Sequence, residues 1–416
     1  MSRNSLAVLA LSLATGLGLA APARADNALH GRFELTGIGA TSKAGSADAF
    51  LGARSRAGLH GDFRLTWEPH WGRWDFSLHY VLRGASGRDV ALSRSKAALL
   101  PAPPPATLFD LSETLTDSGN RRLTQRIDRL SLGYSTPHFV FRIGRQALTW
   151  GAGQVFHPMD LVDPFAPNAV DTEYKPGVDM IYTQILFDDG SDLQAVAAPR
   201  RAVAGGPVSG NASTFALHYH RSIGAFGLSL LAARDRGDWT AGLGLSGPLG
   251  GATWNAEIVP TREAAGATRV SGLLNISGAT TLAGRNATYY AEYFHNGFGV
   301  PGSGAALDSL PSDLTARLTR GQIFTVSRNY LAAGGAWDWT PLLTLSPSLI
   351  VNLDDRSFYV SAESKWSLSD NSMLLIGLQA PVGPHGTEFG GLPVSGTTAP
   401  YSAEPTTAFL QFRRYF

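Results

Sequence analysis

Chemistry is first suggested in the stretch GRQALTWGAGQVFHPMDLVDPF, Gly144 to Phe165. His157, Asp160 and Asp163 stand three residues apart, a spacing that would gather metal ligands on one helical face. Pro158 and Pro164 break the helix that such a face requires, which argues against a metal. The Gly-Ala-Gly at 151–153 is neither a dinucleotide fingerprint nor a P-loop, because G-x-G-x-x-G and GK[ST] are both missing. Hydrolytic chemistry has candidates in His218 and His220 near Ser213 and Ser222, but none lies in a nucleophile motif. No cofactor is expected from these patterns.

Fixed charge is the other chemical resource. Lysine occurs only at 43, 96, 175 and 365, so arginine carries the positive charge. Its planar fork suits carboxylate and phosphate groups, although a compositional bias toward arginine gives the same count. Lys+Arg 34 against Asp+Glu 33 leaves a net charge of +1, and no nucleic-acid partner is expected.

These groups sit on segments that alternate with period two. Leu59, Phe63, Leu65 and Trp67 share one parity, and His60, Asp62, Arg64 and Thr66 the other. Trp74, Phe76, Leu78, Tyr80 and Leu82 alternate with Asp75, Ser77 and His79. Phe358, Val360, Ala362 and Trp366 alternate with Tyr359, Ser361, Glu363 and Lys365. A soluble sandwich and a membrane barrel share this period, and the chain's ends separate them. Residues 1–25 combine Arg3, an apolar run and Ala23-Arg24-Ala25, the pattern of a secretory signal peptide. The other end, TTAFLQFRRYF, places Ala408, Leu410, Phe412 and Phe416 on one face, with Arg414 as a departure. There is no cysteine, so an exported chain must rely on packing and hydrogen bonds.

Link lengths carry the reading further. Eighteen alternating segments can be drawn between residues 30 and 416. EPHWG, STPH and DDGS are tight even links; 85–120, 149–175, 297–324 and 382–404 are long odd ones. The expected fold is all-β: a transmembrane antiparallel up-and-down barrel of about 18 strands (16–18), occupying 26–416 as one domain. Trp67, Trp71, Trp74, Trp337 and Trp339 fall beside short turns, as in an aromatic girdle. The Pro-rich segment 99–120 reads as an extracellular loop with a helix-tolerant second half.

A barrel of this size encloses water. The loop 149–175 carries Trp150, Val155, Phe156, Met159, Leu161, Val162 and Phe165, too apolar for solvent, and is expected to fold inward as the third loop. Asp160, Asp163, Asp171 and Glu173 would then form a negative edge facing Arg142, Arg145 and other lumenal arginines. The residues expected to line or narrow the lumen are Arg64, His79, Arg142, Arg145, Trp150, Asp160, Asp163, Glu363 and Lys365.

FRIGRQALTWGAG, followed by HPMDLVDPF and KPGVDMIY, resembles a strand–loop–strand signature of porin-like outer-membrane barrels of proteobacteria, with alginate-export-type barrels a distant comparison. Gly144, Arg145, Gln146, Trp150, Gly151, Pro158 and Asp160 are the matching positions. The resemblance implies a monomeric or loosely oligomeric porin in the outer membrane of a Gram-negative bacterium, passing small solutes by diffusion. Outer-membrane lipid and lipopolysaccharide are then the expected surroundings, and the C-terminal strand ending at Phe416 the handle for the barrel-assembly machinery. An outer-membrane hydrolase, or a barrel sheathing a periplasmic partner, are the alternatives. TonB-coupled transport is not expected, because that machinery uses a 22-strand barrel with a separate plug.

Overall fold

The computed structural model describes residues 28–99, 107–167, 173–302, 304–396 and 400–416; the expected signal peptide and Asp171 lie outside the described residues. Eighteen antiparallel strands close into one barrel. Its first third comprises β1 Leu29–Thr41, β2 Ser55–Trp67, β3 Trp74–Gly87, β4 Arg121–Thr136, β5 Phe139–Gln146 and β6 Val178–Leu186. The second comprises β7 Asp192–Ala198, β8 Thr214–Ile223, β9 Phe226–Asp235, β10 Asp238–Leu249, β11 Ala252–Arg262 and β12 Thr268–Leu282. Arg285–His295 (β13), Asn329–Thr340 (β14), Leu343–Asn352 (β15), Phe358–Ser369 (β16), Ser372–Val382 (β17) and Thr406–Tyr415 (β18) complete it. Each strand pairs with its sequence neighbour, and β1 returns to β18 from Arg32↔Tyr415 to Thr41↔Thr406. Gly31 and Phe416 exchange both backbone bonds at 2.9 and 3.1 Å, so no edge strand is left.

The two faces are inverted relative to a water-soluble domain. Arg32, Glu34, Arg64, Asp128, Asn275 and Glu292 are buried, while Phe215, Leu217, Ile258, Leu274, Ile376 and Leu410 are exposed. Polar parity faces the lumen and apolar parity faces outward, as a membrane-spanning barrel requires. Trp67, Trp71, Trp74 and Trp339 are exposed near the short-turn end, and Trp337 stands edge-on to Trp339 at 4.9 Å. Arg414, on the outward parity, donates to Ser372 Oγ at 2.9 Å.

Long links gather at the opposite end. The β3–β4 link departs from expectation: its helix is Arg88–Leu99, upstream of the prolines, and Ser112–Ser118 forms a strand against the upper half of β4. The period-3.6 pattern is too weak there to announce a helix, and the strand gains its ladder only because β4 outlasts β5. Asp89 at that helix's start meets His60 on the inner face of β2 at 2.5 Å, drawing the helix over the barrel mouth.

Candidate functional site

The β5–β6 link enters the barrel and lies along the inner face of β7–β14. Carboxylates on two strands hold it by its backbone. Glu292 of β13 accepts the N–H groups of Gln154, Val155 and Phe156 at 2.6, 3.0 and 2.8 Å. Glu257 of β11 accepts that of Ala152 at 2.5 Å, and Asn275 of β12 donates to the Ala152 carbonyl at 2.8 Å. Backbone leaving a strand must find partners somewhere, and a charged acceptor gives each N–H about 1.5–3 kcal/mol. Gly151 bends the chain at φ +93, and at Gly153 a Cβ would stand 1.7 Å from the Phe156 carbonyl oxygen. Only glycine fits that bend.

Side chains complete the seat. Trp150, Met159 and Val162 pack on Val196, Ala216, Leu231 and Val259; Val155 and Phe156 pack on Leu273, Phe294 and Tyr330. The inward parity of this wall is therefore apolar where the loop lies. Phe156 stacks on Phe294 at 4.6 Å, and Trp150 on His218 at 5.3 Å while its indole donates to Gln194 at 2.7 Å. Burying each large side chain contributes roughly 1.5–3 kcal/mol. The loop is a fixed part of the lumen.

The facing wall, β16–β18 with β1–β4, carries the charge. Arg64 donates to Asp128 at 2.8 Å, and Arg126 grips the other oxygen of that carboxylate. Arg413 meets Glu34 at 2.9 Å and Arg83 meets Asp62 at 2.8 Å. The loop's far end crosses to this wall. Glu173 pairs with Arg32 at 3.0 Å and Arg413 at 3.4 Å, and Tyr174 lies under the guanidiniums of Arg64 and Arg32 at 4.1 and 5.0 Å. Above that crossing is a cavity of about 450 Å³ bordered by Glu34, His60, Asp62, Arg83, Arg122 and Gln411. Lys365 on β16 points into the lumen and is exposed there, with Glu363 beside it on the same parity.

At the long-loop end, Arg145, Arg200, Arg236 and Arg320 border a cavity of about 640 Å³ with Asp163 and Asp179. Burial pulls the Arg200 and Arg320 guanidiniums down to about 10, still charged at neutral pH, and the neighbouring arginines Arg236 and Arg317 add to the effect. Asp163 is pushed up to about 6, chiefly by burial, although Lys175 opposes the shift. Burial lowers His157 as well.

The expected residues divide. Arg64, His79, Arg142, Glu363 and Lys365 lie on the inward parity. His79 is held by Glu68 at 2.9 Å, and Arg142 faces Asp75 at 3.4 Å. Trp150 is a packing anchor. Asp160 pairs within its own loop with Lys175, so it presents no free charge. Arg145 borders the mouth cavity, where it clasps Asp179 with two bonds of 2.9 and 2.8 Å and caps the Phe109 and Ile127 carbonyls. Of the expected negative edge, Glu173 meets the lumenal arginines Arg32 and Arg413. Ser213 is engaged by the Ser209 carbonyl and the Arg200 N–H, and His218 by Trp150, so no Ser–His pair forms there. Among the described residues no group of three His, Cys, Asp or Glu is placed to hold a metal.

Sequence reasoning missed Glu257 and Glu292, the loop's anchors, and the Arg126–Asp128–Arg129 cluster. Both had a signal. Glu292 is an acid on the inward parity of the largely aromatic segment TYYAEYF. In β4 the apolar parity flips between Ile127 and Leu130, and the structure has a bulge there, with His79 opposite Arg129 and Tyr80 opposite Ile127.

A closed, eighteen-strand antiparallel barrel matches the fold of solved outer-membrane porin structures. A BenF-like porin from Pseudomonas fluorescens Pf-5 aligns with a TM-score of 0.55 at 9% identity, over 94% of this chain and 98% of that one. Pseudomonas aeruginosa OccK5 (OpdH) aligns at 0.53 with 10% identity, over 93% and 98%, and Acinetobacter baumannii OccAB3 at 0.53 with 10% identity, over 94% and 100%. At such identities the likeness is one of fold. No family model and no curated protein matches the chain.

Proposed function

We propose that this chain is an outer-membrane channel for passive diffusion of small hydrophilic solutes, and that its passage runs between the arginine-bearing wall and loop 149–175. One observation carries the reading: the loop is bonded to the apolar and glutamate-bearing wall, which leaves Arg83 and Arg122 of the other wall open to water while Arg32, Arg64 and Arg413 are buried behind them. Solutes entering by the arginine-bordered mouth meet Arg200, Arg236 and Arg320 first, then Arg122 and Arg83, and pass beside Glu173. Fixed cations outnumber free carboxylates along that path, so anions and carboxylate-bearing solutes are favoured over cations. The porin folds above support a pore.

The test is single-channel recording of refolded protein in a planar bilayer under a KCl gradient. Stable open steps with a reversal potential of anion-selective sign support the proposal. Folded protein that stays silent, or a cation-selective reversal potential, overturns it.

A further inference from the structure

The outward face of β6–β12, at its extracellular end, is built unlike the rest of the outer surface. Cross-strand pairing sets Arg234 of β9 beside Trp239 of β10, and Trp239 beside Arg262 of β11. All three are on the parity that faces lipid, and Trp239 is 63% exposed. The Arg234 guanidinium lies 5.8 Å from the Trp239 ring and donates to Asn211 at 3.1 Å; Arg262 donates to Thr268 at 3.1 Å. Among the described residues neither has a carboxylate partner, whereas the outward Arg221 at the other end has Asp189 at 3.5 Å. Below the three runs a row of small side chains, Ala195, Ala197, Ala232, Ala241 and Pro260. They leave a trough of about 880 Å³ bounded by Ile181, Phe215 and Leu217.

We infer that this trough and its two arginines form a site for one phosphate-bearing, multiply acylated glycolipid of the outer leaflet. A lipid-facing arginine costs up to about 1 kcal/mol near the interface and more at depth, and an anionic headgroup removes that cost. Arg234 and Arg262 are two strand spacings apart, about 10 Å, so their side chains bracket a phosphate placed over Trp239. An acyl chain below it fills the space that alanines leave where neighbouring strands carry leucine or isoleucine. Between the arginine-bearing strands the links are short, 236–237 and 263–267, and the longer link 199–213 reaches Arg234 only through Asn211 among the contacts described. Charge complementarity selects this occupant over a second copy, whose matching face would bring the same cations together. The site rests on the membrane placement proposed above and not on transport.

The test uses the mature, delipidated chain in detergent, titrated by native mass spectrometry with a diphosphorylated hexa-acyl disaccharide lipid and with its dephosphorylated form. The expected result is one retained lipid, weakened tenfold or more by Arg234→Ala with Arg262→Ala, and by Ala232→Phe with Ala241→Phe. Dephosphorylation should weaken it comparably. Each variant should keep wild-type channel conductance, which separates loss of the site from loss of the pore. A brominated acyl chain should also quench wild-type fluorescence more than the same lipid dephosphorylated, a readout that needs no variant. Equal retention across variants, indifference to phosphate, or a dimer dissolved by the same substitutions would each overturn the inference.

Discussion

The two halves of the inner wall solve the problem of buried polarity in different ways. On β7–β14, the inward residues that meet the loop are mostly apolar, and its polar partners there bind mainly loop backbone: Glu292 alone takes three amides and Asn275 donates to the Ala152 carbonyl. On β16–β18 and β1–β4, inward residues are charged and pair with one another across strands, as Arg64 does with Asp128 and Arg413 with Glu34. Neutral N–H groups can be satisfied by a carboxylate that is then hidden under the loop. Guanidiniums cannot all be satisfied that way, and several keep a solvent-facing side. One wall stores structure and the other presents charge.

Cutting the loop from its wall should have the largest effect. Glu292→Ala strands the N–H groups of Val155 and Phe156, which are buried, and that of Gln154, and the loss of folding stability is expected to be on the order of 3 kcal/mol. Conductance should rise and become noisy as the loop leaves its seat, with Glu292→Gln intermediate; quiet, wild-type steps from Glu292→Ala would show that packing alone holds the loop. Next, removing the solvent-facing cations Arg83, Arg122 and Lys365 together as glutamines should shift the reversal potential several-fold toward cations, with little change in thermal stability. An unchanged reversal potential would place the selective charge on the other side of the passage.

A smaller, pH-dependent effect should come from Asp163, whose carboxyl is pushed up to about 6 by burial. Its folded form holds the proton more tightly than the unfolded chain, so its contribution to stability is most favourable below the ordinary carboxylate range. That contribution falls as pH rises toward about 6 and is constant above. Once ionised it offsets Arg200, so anion preference should be greater at pH 5 than at 7.5, and Asp163→Asn should flatten the difference in a permeability-ratio measurement. Smallest is Trp150→Phe, which keeps the stack on His218 but loses the 2.7 Å bond to Gln194. It should cost about 1 kcal/mol in urea unfolding and leave conductance unchanged.

Much of this was legible in residue order. Period-two alternation placed all eighteen strands within a few residues, and Gly151 with Gly153 and the apolar run to Phe165 marked a loop that had to turn inward. Alternation works because side chains on a strand must choose between two solvents. The pairings were not legible. Arg145 was assigned to the lumen, and only the seating of residues 107–110 against β5 and β6 gives it to Asp179. The bulge at Asp128 turned Arg126, Asp128 and Arg129 toward the loop against a simple parity count.

By itself the sequence determined the apolar and polar faces of most strands, a strand number near 18, and that loop 149–175 could not remain in solvent. These follow from periodicity and apolar content, which are local. Only the tertiary structure decided which wall receives the loop, and hence which charges stay open to water. That choice depends on Glu257 and Glu292 standing opposite backbone amides more than a hundred residues away, a distance that no local pattern spans.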